Sequence, residues 1–124
     1  GTPWLKVNPN YTEINVMQAE KKEDSILHYY KKLIQVRKSN PTLIYGHYEE
    51  FFEDSEEFYC YKRFDEEHSY LILLNFTDRN VSCSLPEEVN LTSAVLKISN
   101  YDCADTSGSN LSLQPYEARV YQLM

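Results

Sequence analysis

Apolar positions recur at helical spacing in one stretch of the chain and at strand spacing in most of the rest. Ile26, Tyr29, Tyr30, Leu33, Ile34 and Arg37 follow i, i+3, i+4 intervals, which places them along one stripe of a helix over residues 24–39. Asp24 or Ser25 supplies the N-cap oxygen, and Asn40-Pro41 stops the helix because a residue before proline avoids helical geometry. From Pro41 onward the period is that of strands. Leu43-Ile44-Tyr45 is a short apolar piece broken by Gly46, and Tyr48–Phe52 and the aromatic Phe58–Phe64 follow. Ser69–Phe76 carries the unbroken run Leu71-Ile72-Leu73-Leu74 and predicts the most buried, central strand. Val81, Cys83 and Leu85 alternate with polar residues, Ala94–Ile98 alternates less clearly, and Leu111–Leu113 and Glu117–Leu123 close the chain. Polar and acidic groups punctuate these runs: Glu53–Glu57, Asp65–Glu67, Thr77–Asn80 and Thr106–Ser109. The pattern predicts a mainly β protein, an antiparallel β-sandwich or open barrel, preceded by a loop-like segment over residues 1–23 and one α-helix.

That first segment, Thr2-Pro3-Trp4-Leu5-Lys6-Val7-Asn8-Pro9-Asn10-Tyr11, has neither period. A loop this elaborate needs a scaffold on both sides, so it reads as the middle of a longer protein. Composition narrows the function classes. With 124 residues the chain supports one domain of modest core, and its aromatic content of 14% comes mostly from eleven tyrosines, which suit half-buried sheet faces. The formal net charge of −7 repels a phosphate backbone, and the lysines of residues 21–38 read as a solvated helix face, so nucleic acid is not expected as a partner. No apolar run approaches the span a bilayer requires, so no membrane is expected either. Cys60, Cys83 and Cys103 are odd in number and lack metal-ligand spacing, which favours reduced thiols and a cytoplasmic location. Asn-X-Ser/Thr triplets at Asn10, Asn75, Asn80, Asn90 and Asn110 are ascribed to composition.

Candidate chemistry is sparse. Glycoside hydrolysis wants two converging carboxyl groups, but Glu49-Glu50 and Glu56-Glu57 are adjacent pairs that an extended chain points to opposite sides. His28, His47 and His68 are isolated from one another and from the cysteines. Only three glycines occur, Gly1, Gly46 and Gly108, so no phosphate-cradling loop exists. Phe58, Tyr59, Tyr61 and Phe64 could stack on a sugar, but a sheet core with a polar-tipped edge is the favoured reading of such a cluster. No catalytic, cofactor-binding or metal-ligating residue is assigned, and no cofactor is expected.

Longer motifs do point somewhere. Pro3-Trp4-Leu5-Lys6-Val7-Asn8-Pro9-Asn10-Tyr11, Ile14-Asn15-Val16, Asp24–Ile34, Arg37-Lys38, Tyr45-Gly46-X-Tyr48, Leu73-Leu74-Asn75-Phe76 and Leu113–Tyr121 together resemble the end of a bacterial alpha-glucosidase of glycoside hydrolase family 13, of the oligo-1,6-glucosidase type. The resemblance covers essentially the whole chain. It implies that residues 1–40 are the last loop and eighth helix of a catalytic (β/α)8 barrel. It also implies that residues 41–124 are an alpha-amylase-type C-terminal antiparallel β domain. The family's Asp nucleophile, Glu acid/base and second Asp would lie upstream, so this piece alone is expected to be inactive. Its expected partner is the missing barrel, with short oligosaccharides as substrate of the parent. Trp4, Val7, Ile14, Val16 and the helix stripe would bury against that barrel, so the isolated piece is expected to self-associate. The alternatives are a trehalose-6-phosphate hydrolase parent, a stand-alone carbohydrate-binding module using the tyrosine-rich sheet face, and the end of an amino-acid transporter heavy chain.

Overall fold

Seven strands form two antiparallel sheets in a computed structural model that describes residues 1–102 and 110–124. Cys103 and the turn expected over Thr106–Ser109 lie outside the described residues. The strands are β1 His47–Phe51, β2 Phe58–Phe64, β3 Ser69–Asn75, β4 Val81–Ser84, β5 Val95–Ser99, β6 Asn110–Leu113 and β7 Ala118–Leu123. The larger sheet runs β1-β2-β3-β7-β5, and β4 pairs with β6 in the smaller one. β3 is therefore the middle of five, as its unbroken apolar run predicts, and Tyr70 through Leu73 are all buried.

Register explains which residues reach the core. Phe51, Cys60, Leu73 and Arg119 oppose one another across the larger sheet, as do Lys62, Leu71, Tyr121 and Leu96, so these share one face. That face packs on Cys83, Leu85, Leu111 and Leu113 from the smaller sheet, with Val89 and Leu91 from the connection after β4. The result is a sandwich with its core between the sheets. β4 and β6 alternate buried and exposed along their length, so the smaller sheet is solvated on its outer side.

The chain divides into two compact units, residues 1–35 and 36–124. In the first, no residue is buried, yet the segment is more ordered than its sequence predicts. The expectation of a loop over residues 1–23 is corrected by a tight helical turn at Pro9–Thr12 and by helix α1, Val16–Lys21. Asn8 and Asn15 account for both. The Asn10 amide donates to Asn8 Oδ1, and the Gln18 amide donates to Asn15 Oδ1 at 2.9 Å, so each Asn caps a short helix. Helix α2 runs Ile26–Ser39, and Ser25 is its cap, accepting from the His28 amide at 3.4 Å.

In the second unit, Asn40 closes the end of α2 by donating from Nδ2 to the Val36 carbonyl, while its Oδ1 accepts from the buried Tyr70 hydroxyl at 2.7 Å. The apolar piece Leu43-Ile44-Tyr45, read as extended, is instead helical and forms α3, Thr42–Tyr45. Pro41 precedes it at φ −54°, ψ −32°, a conformation that starts a helical turn as readily as it ends one. The proline that stops α2 also starts α3.

Candidate functional site

The acidic pairs do not converge. Glu49 lies across from Lys62 and forms an ion pair with it at 2.5 Å, while Glu50, on the opposite face of β1, accepts from the Tyr48 hydroxyl. Glu56 is exposed, and its neighbour Glu57 pairs with Arg79 at 2.5 Å. Each histidine has its own local role. His28 Nδ1 lies 2.8 Å from the Lys22 carbonyl, His47 packs against the Phe64 ring at 5.5 Å, and His68 stands 3.9 Å from Asp65. Among the described residues no three His, Cys, Asp or Glu side chains are grouped as a metal site would require.

Asp65 organises the β2–β3 turn. Its carboxylate accepts from the Thr42 hydroxyl at 2.5 Å and from the Glu67 and His68 amides, and these bonds, Thr42 first, hold its pKa below the usual carboxylate value. A shallow depression of about 250 Å³ lies beside this turn, lined by Lys62, Phe64, Asp65, His68 and Leu123.

The aromatic cluster of β2 is split by the strand period. Phe58 and Phe64 fall on the core-side face, and Tyr59 and Tyr61 on the other, where Tyr48 joins them from β1. Tyr48 and Tyr61 rings sit 5.5 Å apart, tilted 36°, and Tyr59 and Tyr61 sit 5.1 Å apart, tilted 40°. The Tyr48 hydroxyl bonds Glu50 and the Tyr59 hydroxyl, and those bonds, Glu50 first, raise its pKa. The tilted rings form a ladder across β1 and β2 in which the Tyr48 and Tyr59 hydroxyls bond to each other.

One polar group of consequence was not legible from composition. Glu117 is fully buried and Arg119 is 4% exposed, inside the sandwich. Arg119 Nε donates to Glu117 Oε1 at 2.7 Å, Nη2 donates to the Ser112 carbonyl of β6 at 2.8 Å, and Nη1 reaches the Tyr121 hydroxyl at 3.3 Å. Glu117 Oε2 accepts from the Gln114 amide at 2.6 Å. Burial pulls the Arg119 pKa down, but the bonds to Glu117 and Tyr121 outweigh it and raise it. The pair therefore ties β7 in the larger sheet to β6 in the smaller one. The signal was Glu117-Ala118-Arg119, opposite charges two apart on a strand, which puts both on one face. Tyr116 just before it holds φ 56°, the left-handed conformation that a turn after Pro115 requires. Asn75 is the other buried polar anchor. Its Nδ2 donates to the Arg79 and Gln114 carbonyls and its Oδ1 accepts from the Thr77 amide and hydroxyl, so the Asn-Phe pair ending β3 is a turn-builder.

The family alpha amylase, catalytic domain, matches residues 1–46, and the family maltogenic amylase, C-terminal domain, matches residues 48–120. The oligo-1,6-glucosidase of Halalkalibacterium halodurans is 48% identical over 123 residues, and that of Bacillus cereus 42% over 123 residues; the alignments cover 98% and 99% of this chain. The crystal structure of Bacillus licheniformis trehalose-6-phosphate hydrolase superposes with a TM-score of 0.88 at 34% identity over 98% of this chain. The chain spans only 22% of the length of each of these proteins. The match of both family descriptions in order, with the shared sandwich, places it plainly: the chain belongs to glycoside hydrolase family 13, the alpha-amylase family, and corresponds to the C-terminal part of its oligo-1,6-glucosidase-type alpha-glucosidases.

Proposed function

We propose that this chain is the supporting C-terminal portion of an alpha-glucosidase that hydrolyses alpha-1,6 or related glucosidic bonds of short oligosaccharides. Residues 1–40 then complete the catalytic barrel, residues 41–124 form the β domain that follows it, and the catalytic acids come from the preceding barrel. The observation that carries this reading is the near-complete alignment to two oligo-1,6-glucosidases at 42% and 48% identity, across only 22% of their length. The exposed apolar side chains of the first unit support it. Trp4 is 91% exposed, Ile26 86% and Ile14 71%, surface that a barrel would cover. In the isolated chain the same surface drives self-association. Cys60 and Cys83 are both free, which supports a cytoplasmic location, and no described helix is long and apolar enough to cross a membrane.

A trehalose-6-phosphate hydrolase parent is the second reading, favoured by the B. licheniformis structure and disfavoured by its lower identity, 34%. Two assays decide. The 124-residue chain, at high concentration with a chromogenic alpha-glucoside, is expected to give no turnover; turnover would overturn the assignment. The full-length gene product is expected to cleave isomaltose in preference to trehalose 6-phosphate, and the reverse preference would select the second reading.

A further inference from the structure

Family pattern and packing divide the chain at different places. The two family matches part between residues 46 and 48, whereas the two compact units part between Gln35 and Val36. Residues 36–46 therefore carry the catalytic-domain pattern in sequence and yet pack as part of the second unit. Helix α2, Ile26–Ser39, crosses that line, and its last turn lies in the second unit together with all of α3.

Side chains tie this stretch to the sandwich. Asn40 Oδ1 accepts from the Tyr70 hydroxyl of β3 at 2.7 Å, while its Nδ2 donates to the Val36 carbonyl at 2.5 Å. The buried Thr42 hydroxyl donates to the Asp65 carboxylate of the β2–β3 turn at 2.5 Å. Arg63 of β2 donates from Nη2 to the Ile44 carbonyl at 2.9 Å, and Arg37 of α2 donates from Nη1 to the Leu43 carbonyl at 2.7 Å. Both carbonyls belong to the last turn of α3, where a helix has no acceptors of its own to spare. Gly46 then runs so near β2 that an added Cβ would lie 2.8 Å from the Phe64 carbonyl oxygen. A four-residue helix has no stability of its own, so α3 owes its shape to these bonds. Residues 1–35, by contrast, bury no side chain.

We propose that residues 36–46 are a clasp within the cooperative fold of the β domain, and that through it the β domain holds the C-terminal end of the helix that completes the barrel. The second half rests on the reading that a barrel precedes this chain; the first half does not. Stability then changes within one continuous helix. From Val36 onward the backbone opens only when the sandwich opens, because Asn40, Thr42 and the α3 carbonyls are bonded to β2, β3 and their turn. Ahead of Val36, α2 frays alone, because a short helix without buried side chains is marginal in water. The support given by the β domain is thereby located: unfolding the sandwich releases the end of α2.

The test is native-state hydrogen exchange of the 124-residue chain, read at single amides by mass spectrometry in dilute solution, so that association between copies does not protect α2. The Tyr45 and Gly46 amides donate to the Pro41 and Thr42 carbonyls. They are expected to exchange within about tenfold of the β3 amides, and the α2 amides ahead of Val36 at least about a hundredfold faster. Thr42→Val removes one hydroxyl and keeps the shape of the side chain. It is expected to speed the Tyr45, Gly46 and β3 amides by one common factor of about ten. Tyr45 and Gly46 exchanging as fast as the front of α2, or Thr42→Val speeding them without the β3 amides, overturns the clasp. The full-length gene product tests the barrel separately. There residues 26–35 are expected to gain at least about tenfold protection while residues 36–46 keep theirs. Residues 26–35 exchanging equally fast in both proteins overturns the barrel reading, an outcome distinct from failure of the clasp.

Discussion

The Glu117–Arg119 pair offers the sharpest test of how the two sheets are held together. Glu117 is fully buried and Arg119 nearly so, and each has further bonds, to the Gln114 amide and to the Ser112 carbonyl and Tyr121 hydroxyl. Glu117→Gln preserves shape but takes from the buried guanidinium the carboxylate that its Nε meets. Arg119→Met leaves a carboxylate buried and strips the Ser112 carbonyl of its donor. Breaking a buried pair from one side costs about 3–5 kcal/mol. Removing both charges together leaves no buried charge facing its missing partner across this bond, while the Ser112 carbonyl loses its donor, a loss of about 1–3 kcal/mol. The double variant is therefore expected to be more stable than either single one. The assay is urea unfolding at pH 7 followed by far-UV circular dichroism, because Trp4 is exposed and reports little on the core. With a urea slope of about 1.5 kcal/mol per M, a loss of about 3 kcal/mol lowers the midpoint by about 2 M. A coupling energy of about 2 kcal/mol or more is expected from the double-mutant cycle. Single losses below about 1 kcal/mol, or a double loss equal to their sum, would refute the claim that the pair acts as a buried unit.

Three further outcomes are expected. Cys60 and Cys83 are buried, and burial pushes their thiols up, Cys60 to about 12 with a smaller push from Cys83, and Cys83 to about 11. Iodoacetamide should label them only on unfolding. Because the folded thiols keep their protons where unfolded thiols lose theirs, stability should be unaffected below about pH 9 and fall as pH rises from there toward 12. Flat stability across that window would contradict the burial. A Cβ on Gly46 would lie 2.5 Å from the Thr42 carbonyl oxygen and 2.8 Å from that of Phe64. Gly46→Ala should therefore destabilise by about 1–3 kcal/mol, measured by the same urea titration, although Gly to Ala at an unstrained site usually stabilises. Asn75→Ala should cost about 2–3 kcal/mol by leaving the Thr77, Arg79 and Gln114 backbone groups unmet, and Asn75, only 3% exposed, should stay unglycosylated in folded protein made in a eukaryotic secretory pathway while exposed Asn90 is modified. Glycan at Asn75, found by peptide mass spectrometry, would sink that account.

Local patterning carried most of the element assignments. The 3.6-residue stripe defined α2, the alternation of Val81, Cys83 and Leu85 defined β4, and the apolar run over residues 71–74 marked the middle strand, because each signal is set by residues adjacent along the chain. It failed where one residue had two roles. Pro41 ends one helix and begins another, and Asn15 is as much a cap as a loop residue. Family motifs, being short runs of adjacent residues, were also readable without coordinates, and with them the identity of the chain as a C-terminal part.

Only the tertiary structure decided which polar groups are buried and what they meet. Nothing local says that the Glu117 carboxylate lies inside the sandwich while Glu49 and Glu57 make partly exposed ion pairs, since burial depends on a second sheet that closes over it from residues 81–84 and 110–113. Likewise it is a matter of chain path that Arg37 and Arg63, twenty-six positions apart in sequence, donate to the neighbouring Leu43 and Ile44 carbonyls of α3, which the turn at Pro41 and the pairing of β1 with β2 bring about. The period of a sequence determines which face a side chain takes, and packing alone determines what that face touches.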